Sequence, residues 1–202
     1  MATGRYPKGV LKREQILDTA LEVFADEGYR GTSLRTVAAR CGLSVAGVLH
    51  YFDSREDLLA QVIARRDTIP RPAGTSRVEP HALVDGIRAN TDQPGLVELF
   101  VSLVAAARDH DHPAHEQLAR RYTSMRLRIQ GAMRDLQEAG QIPAHLDPDA
   151  LARLIIAAAD GAQLQWMVDD EATLDGPLAT LVYDVLGLSR PSGEVDRGNA
   201  SI

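Results

Sequence analysis

Apolar residues recur at intervals of three and four along most of the chain, the period of a helix with one buried face. Ile16, Ala20, Val23 and Phe24, with Leu17 and Leu21 beside them, make the first such stripe, and Gly28 follows it as a helix stop. Further helices are predicted to begin after Thr32/Ser33, after Ser44 and after Ser54. The last carries a capping-box pattern, Ser54-x-x-Asp57, ahead of Leu58, Leu59, Val62 and Ile63. Pro70, Pro72 and the Gly-Thr-Ser run at 74–76 then break the composition. Beyond them the same periodicity predicts helices over about 79–91, 95–110, 113–139, 148–169 and 175–188. Asp147-Pro148 gives an N-cap and a proline at the first helical position, and Pro113 is assigned the same place in the long segment. Gly140 with Pro143 ends that segment, and Gly187 ends the last helix. The pattern reads as an all-α fold divided into residues 10–66 and 75–189, with a polar tail over 190–202 that reads as disordered.

Composition supports helices. Aromatic residues make up 4% of the 202, against 45% apolar overall, and strands favour the aromatic and β-branched types. The single cysteine, Cys41, rules out an internal disulfide framework and fits a reducing compartment. The basic N-terminus has no apolar region behind it, so it does not read as a secretory signal. The nearly apolar run Leu154–Leu164 is interrupted by Asp160 and is too short for a membrane span. A soluble, cytoplasmic protein with no membrane partner is expected.

The net charge of −6 argues against nucleic-acid binding until it is divided along the chain. Residues 1–66 carry ten Lys/Arg against eight Asp/Glu, and the remainder twelve against twenty. Arg5, Lys8, Lys12 and Arg13 stand among the first thirteen residues without an acid. Phosphate binding needs local positive charge, not a basic protein, so the asymmetry permits DNA contact in the N-terminal part.

Leu34–Tyr51 carries the functional signal. A helix-turn-helix needs a small residue where its helices cross, a turn residue tolerant of positive φ, and apolar residues at fixed offsets. Ala38 and Gly42 meet the first two demands; Val37, Cys41, Leu43, Val48 and Tyr51 meet the third. The second helix of the pair, 45–51, is the one that would enter a major groove, with Ser44 at its N-cap and free N–H groups facing phosphate. Val45, Ala46 and Gly47 at its head offer no hydrogen-bonding side chain, so apolar contact of Val45 or Ala46 with thymine methyls is expected there.

The string Gly28–Ser33 before this motif, and Tyr51, Phe52, Asp53, Ser54, Arg55, Glu56, Asp57 and Leu58 after it, resemble the N-terminal domain of the TetR family of transcriptional regulators over about residues 12–65. The resemblance implies an N-terminal three-helix helix-turn-helix DNA-binding domain plus a larger helical ligand-binding and dimerisation domain. It implies a homodimer on a palindromic double-stranded DNA operator and a small-molecule effector that releases a repressor; two recognition helices in successive major grooves would set the half-sites about one helical turn apart or slightly more. Ser33, Tyr51 and Arg55 match positions that touch the DNA backbone in the family, and Arg35 a position that reaches a base. Leu49 departs from the family's aromatic residue, and His50 partly compensates. The four basic residues of the N-terminal arm are placed along the duplex near a minor groove.

Elsewhere the residues are less specific. The segment Asp149–Val168 is apolar on more than one face and, with Leu178, Leu181, Val182, Val185 and Leu186, is the expected dimer interface, a four-helix bundle. Phe100, Tyr122, Met125, Met133, Gln163 and Trp166 are candidates to line an effector pocket. Cys41 reads as a core residue, not a redox sensor. The histidine-rich segment Asp109–Glu116, with His110, His112 and His115, is the basis of a rival reading as a helical metal-binding protein or hydrolase. Pro113 interrupts the helical spacing that would align two ligands, and no HExxH, GxSxG or phosphate loop is present, so neither an enzyme, a cofactor nor a metal is expected.

Overall fold

The computed structural model describes residues 6–29, 33–67 and 80–190. Arg5, residues 30–32, the proline-bearing break and nearly all of the 190–202 tail lie outside the described residues. Among the described residues there are helices and no strands. They are α1 (Tyr6–Glu27), α2 (Leu34–Arg40), α3 (Val45–Leu49), α4 (Arg55–Asp67), α5 (Pro80–Arg88), α6 (Pro94–Ala106), α7 (His115–Glu138), α8 (Pro148–Trp166) and α9 (Gly176–Ala179). A 3-10 turn, Ala89–Asp92, follows α5. The last helix is α-helical for four residues only, and continues as a π-helix over Thr180–Val185.

The helices assemble into two compact units, which divide the chain differently from the sequence boundaries. One joins α1–α4 to α6 and to α7 as far as Met125; the other joins α5 to α7 from Arg126, α8 and α9. In the first unit the stripe of α1 is buried as its period requires, with Ile16, Ala20, Val23 and Phe24 packed among Leu58, Leu59, Val62 and Ile63 of α4 and Leu96, Leu99 and Phe100 of α6. Burial of side chains such as Ile16, Leu58 and Ile63 contributes about 1.5–3 kcal/mol each. Arg65 of α4 also reaches Glu14 and Asp18 of α1, at 2.6 and 2.8 Å. These groups are well exposed, so the pairs orient the helices more than they stabilise them.

Two close approaches set the geometry. Gly28 takes φ +74° and ends α1. At the start of α6, a Cβ on Gly95 would lie 2.1 Å from the Phe24 carbonyl oxygen and 2.6 Å from Gly28 Cα, so only glycine lets α6 cross the end of α1. In the second unit, Arg88 of α5 holds Asp175 ahead of α9 at 2.7 Å. Asp149 in the first turn of α8 is bound by Arg126 and, more weakly, by Gln130, both on α7, and by Arg153 one turn on.

Several helix ends differ from the predicted ones. The helix predicted over 95–110 stops at Ala106, because Asp109 turns the chain: its carboxylate accepts from the Asp111 N–H at 3.1 Å. Pro113 sits in the turn ahead of α7 and not at its first position. Asp147 caps α8 as expected, accepting from the Asp149 N–H at 3.0 Å with Pro148 behind it. That helix ends at Trp166, and Asp169 accepts from the Glu171 N–H at 3.0 Å in the following turn.

Gly95→Ala is expected to destabilise the protein by at least about 1–3 kcal/mol, read as a lower midpoint of urea unfolding. The hydrogen bond from Arg153, then that from Arg126, holds the Asp149 carboxyl below its ordinary pKa. A depressed pKa stabilises the fold above the unfolded-state value and ceases to do so as pH falls through the folded-state value. The stability deficit of Asp149→Asn should therefore be present at neutral pH and close below about pH 4, measured by urea unfolding across pH.

Candidate nucleic-acid interface

Helices α2 and α3 form a helix-turn-helix whose inner side is apolar. Val37, Ala38, Cys41 and Val48 are buried in the core of the first unit, with Leu43, Val45 and Tyr51 packed partly against it. Each helix is N-capped by a serine: Ser33 accepts from the Thr36 N–H at 3.3 Å and Ser44 from the Gly47 N–H at 3.0 Å. The turn is a Schellman motif, in which the Gly42 N–H donates to the Ala39 carbonyl at 3.1 Å and the Leu43 N–H to Ala38 at 2.8 Å. Gly42 adopts φ +66° there, the conformation that the spacing predicts.

The string that follows is equally specific. Ser54 accepts from the Asp57 N–H at 2.9 Å, and the Asp57 carboxylate reaches back to the Asp53 N–H at 3.2 Å. The return bond falls one residue ahead of the serine's own N–H. Asp57 also holds the Gln61 amide at 2.9 Å; Gln61 in turn accepts from Arg13, whose guanidinium lies over the Phe52 ring at 5.1 Å.

On the outer side, Ser33, Arg35, Ser44, Ala46, His50 and Arg55 are exposed, and Val45, Gly47 and Tyr51 partly so. No hydrogen bond or ion pair engages Arg35 among the described residues. His50 ends α3 with its ring edge against Tyr51, centroids 5.5 Å apart. Arg55 opens α4 beside Glu56 at 3.5 Å. Because Val45 leans on the core, Ala46 is the more exposed of the two apolar residues at the head of α3.

The chain is helical from Tyr6, so Lys8, Lys12 and Arg13 of the basic N-terminal segment belong to α1. Lys12 donates to the Cys41 carbonyl, and Arg13 is engaged by Gln61 and Phe52. Neither role was visible in sequence, since the partners lie 29 and 48 residues away. The Gly95 contact had a weak local signal, a Pro-Gly pair opening an apolar run.

The pocket candidates divide between the units. Phe100, Tyr122 and Met125 belong to the first, where Phe100 is buried with the Arg66 and Arg121 guanidiniums 5.5 and 4.6 Å from its ring centre. Met133, Gln163 and Trp166 belong to the second. Gln163 is buried; its amide donates to the Ala159 carbonyl at 3.3 Å, and its oxygen has no hydrogen-bond donor among the described residues. The histidine-rich segment is organised as a loop. The His112 ring accepts from the Ala114 N–H at 3.2 Å, His115 Nδ1 donates to the Ala107 carbonyl at 2.8 Å, and the His110 ring lies tilted against His115 with centroids 4.2 Å apart. Among the described residues no group of three or more metal-ligating side chains converges there or elsewhere.

A capped helix-turn-helix seated on a third helix and followed by a larger helical region defines a DNA-binding regulator. Residues 16–62 match the model for bacterial regulatory proteins of the tetR family, and residues 81–184 match the BetI-type transcriptional repressor C-terminal model. The chain belongs to the TetR family of transcriptional regulators. It is 25% identical to the regulator PksA of Bacillus subtilis, over 78% of this chain and 80% of that protein. It is 24% identical to the fatty acid metabolism regulator protein of the same organism, over 88% and 90%. Among solved structures, Salmonella enterica GusR superposes with a TM-score of 0.62 at 24% identity, covering 93% of this chain and 99% of that one. Bacillus subtilis FadR, solved with stearoyl-CoA, superposes with a TM-score of 0.59 at 20% identity, covering 87% and 96%. Among the described residues no helix is long and apolar enough to cross a membrane.

Around Gly42 nothing lies within 4 Å of an added Cβ, so the cost of a substitution is conformational and not steric. Gly42→Ala should lower stability by about 1–2 kcal/mol, and Gly42→Asn by less, since asparagine tolerates positive φ better. Denaturant titration of the three proteins tests that order.

Proposed function

We propose that the protein is a homodimeric repressor that leaves a palindromic operator when a small-molecule effector binds its C-terminal region. The observation that carries this reading is the exposed outer face of α2 and α3, mounted on a buried core by two serine caps and a Schellman turn. Ser44, Val45, Ala46 and Gly47 bring the head of α3 to the major groove. Arg35 hydrogen-bonds a guanine, Ala46 meets a thymine methyl, and Ser33, His50, Tyr51 and Arg55 hold phosphates.

Self-association is supported by α8. Leu154, Ala157, Gly161 and Leu164 recur at three and four, and Leu154 and Leu164 are 50 and 54% exposed. A stripe of that kind, with small residues between the large ones, is suited to close packing of a second copy. The effector site is placed in the second unit beside Gln163 and Trp166. FadR's stearoyl-CoA belongs to FadR, and the effector of this chain is left as a small molecule. The protein acts by binding and not by catalysis, in the cytoplasm. An effector releases DNA only to the extent that it binds the two states differently.

Salt-titrated gel-shift against DNA upstream of the protein's own gene tests the reading. Selective binding should weaken steeply with salt, and Arg35→Ala should cost about 1–3 kcal/mol at one base pair of each half-site. Leu154→Glu/Leu164→Glu should sediment as a monomer and lose selective binding. A variant that stays dimeric would remove α8 from the interface.

A further inference from the structure

The bond between Lys12 and the turn of the motif has a consequence for how α3 is aimed. Cys41 is the C-cap of α2, where backbone carbonyls run out of helical partners. The Schellman bonds use the carbonyls of Ala38 and Ala39, and the Cys41 N–H takes that of Val37 at 3.0 Å. The Cys41 carbonyl is left facing α1, and the Lys12 ammonium donates to it at 3.1 Å while also donating to Gln15 at 3.1 Å. A cation thus stands at the negative end of α2, supplied by a residue 29 positions earlier. Nothing lies within 4 Å of where a Gly42 Cβ would stand, so no side chain covers that face of the turn, while its neighbours Cys41 and Leu43 rest on the core.

We propose that Lys12 is a positioning residue for DNA recognition: it ties the α2–α3 turn to α1 and fixes the angle at which α3 leaves, without itself binding phosphate. This rests on α3 being the helix that reads DNA. It also gives the N-terminal positive charge a different task from contact with the duplex. Replacing the ammonium with an apolar group of similar length releases the turn while the core beneath it, Val37, Ala38 and Val48, stays intact.

The test uses the full-length protein and the variants Lys12→Met and Lys12→Arg. In Lys12→Met, the Gly42 and Leu43 amides should exchange hydrogen about fivefold faster, with Leu99 and Leu103 in α6 unchanged as internal controls. Lys12→Arg should restore much of the protection. On DNA selected by the wild type, Lys12→Met should bind several-fold more weakly with the same slope of log affinity against log salt. Unchanged exchange at Gly42 and Leu43 would overturn the proposal, and so would a salt slope shallower by about one, the mark of a lost phosphate contact. If the wild type selects no DNA, the repressor reading fails, while the exchange measurement still decides whether Lys12 holds the turn.

Discussion

Helices of seven and five residues do not persist in water by themselves, because the cost of nucleating a helix is not recovered over so few bonds. Everything that makes α2 and α3 a recognition device therefore comes from what they are attached to. Val37 and Val48 are fully buried, one from each helix, and they sit on the same core as Ile16 and Phe24 of α1 and Leu58 of α4. Ala38 permits the crossing, Gly42 permits the turn, and the serines at 33 and 44 satisfy N–H groups at the start of each helix. With their inner residues committed to the core, the two helices keep Arg35, Ala46 and His50 exposed on the outer face.

That division of labour separates the frame of the motif from its exposed face. The contacts that orient the motif lie behind it: Arg13 with Gln61 and Phe52, Asp57 with the Asp53 and Gln61 amides, and Lys12 with the Cys41 carbonyl. Two of the N-terminal cations thus serve the frame. Arg35, with no partner among the described residues, faces outward.

Local chemistry was legible in the sequence. Gly28, Gly42, Gly140 and Gly187 all take positive φ where the pattern puts helix ends or turns, and the caps at Ser33, Ser44, Ser54 and Asp147 form as their spacing predicts. Such features depend on a few neighbouring residues, which a single sequence contains. Contacts across long separations were not legible. Lys12 and Arg13 read as an arm because charge alone does not say whether a side chain meets a carbonyl or a phosphate. The π-helix at Thr180–Val185 has no signal in an apolar pattern that fits an α-helix equally well. The pocket candidates were chosen by residue type, and packing distributes them over two units.

Selection from a random pool of DNA duplexes, followed by footprinting of the winners, tests the central claim most directly. The account predicts an inverted repeat with half-site centres about 34 Å apart or slightly more, protected on one face of the duplex. Failure to enrich any sequence over many rounds, with folded dimeric protein, would contradict it.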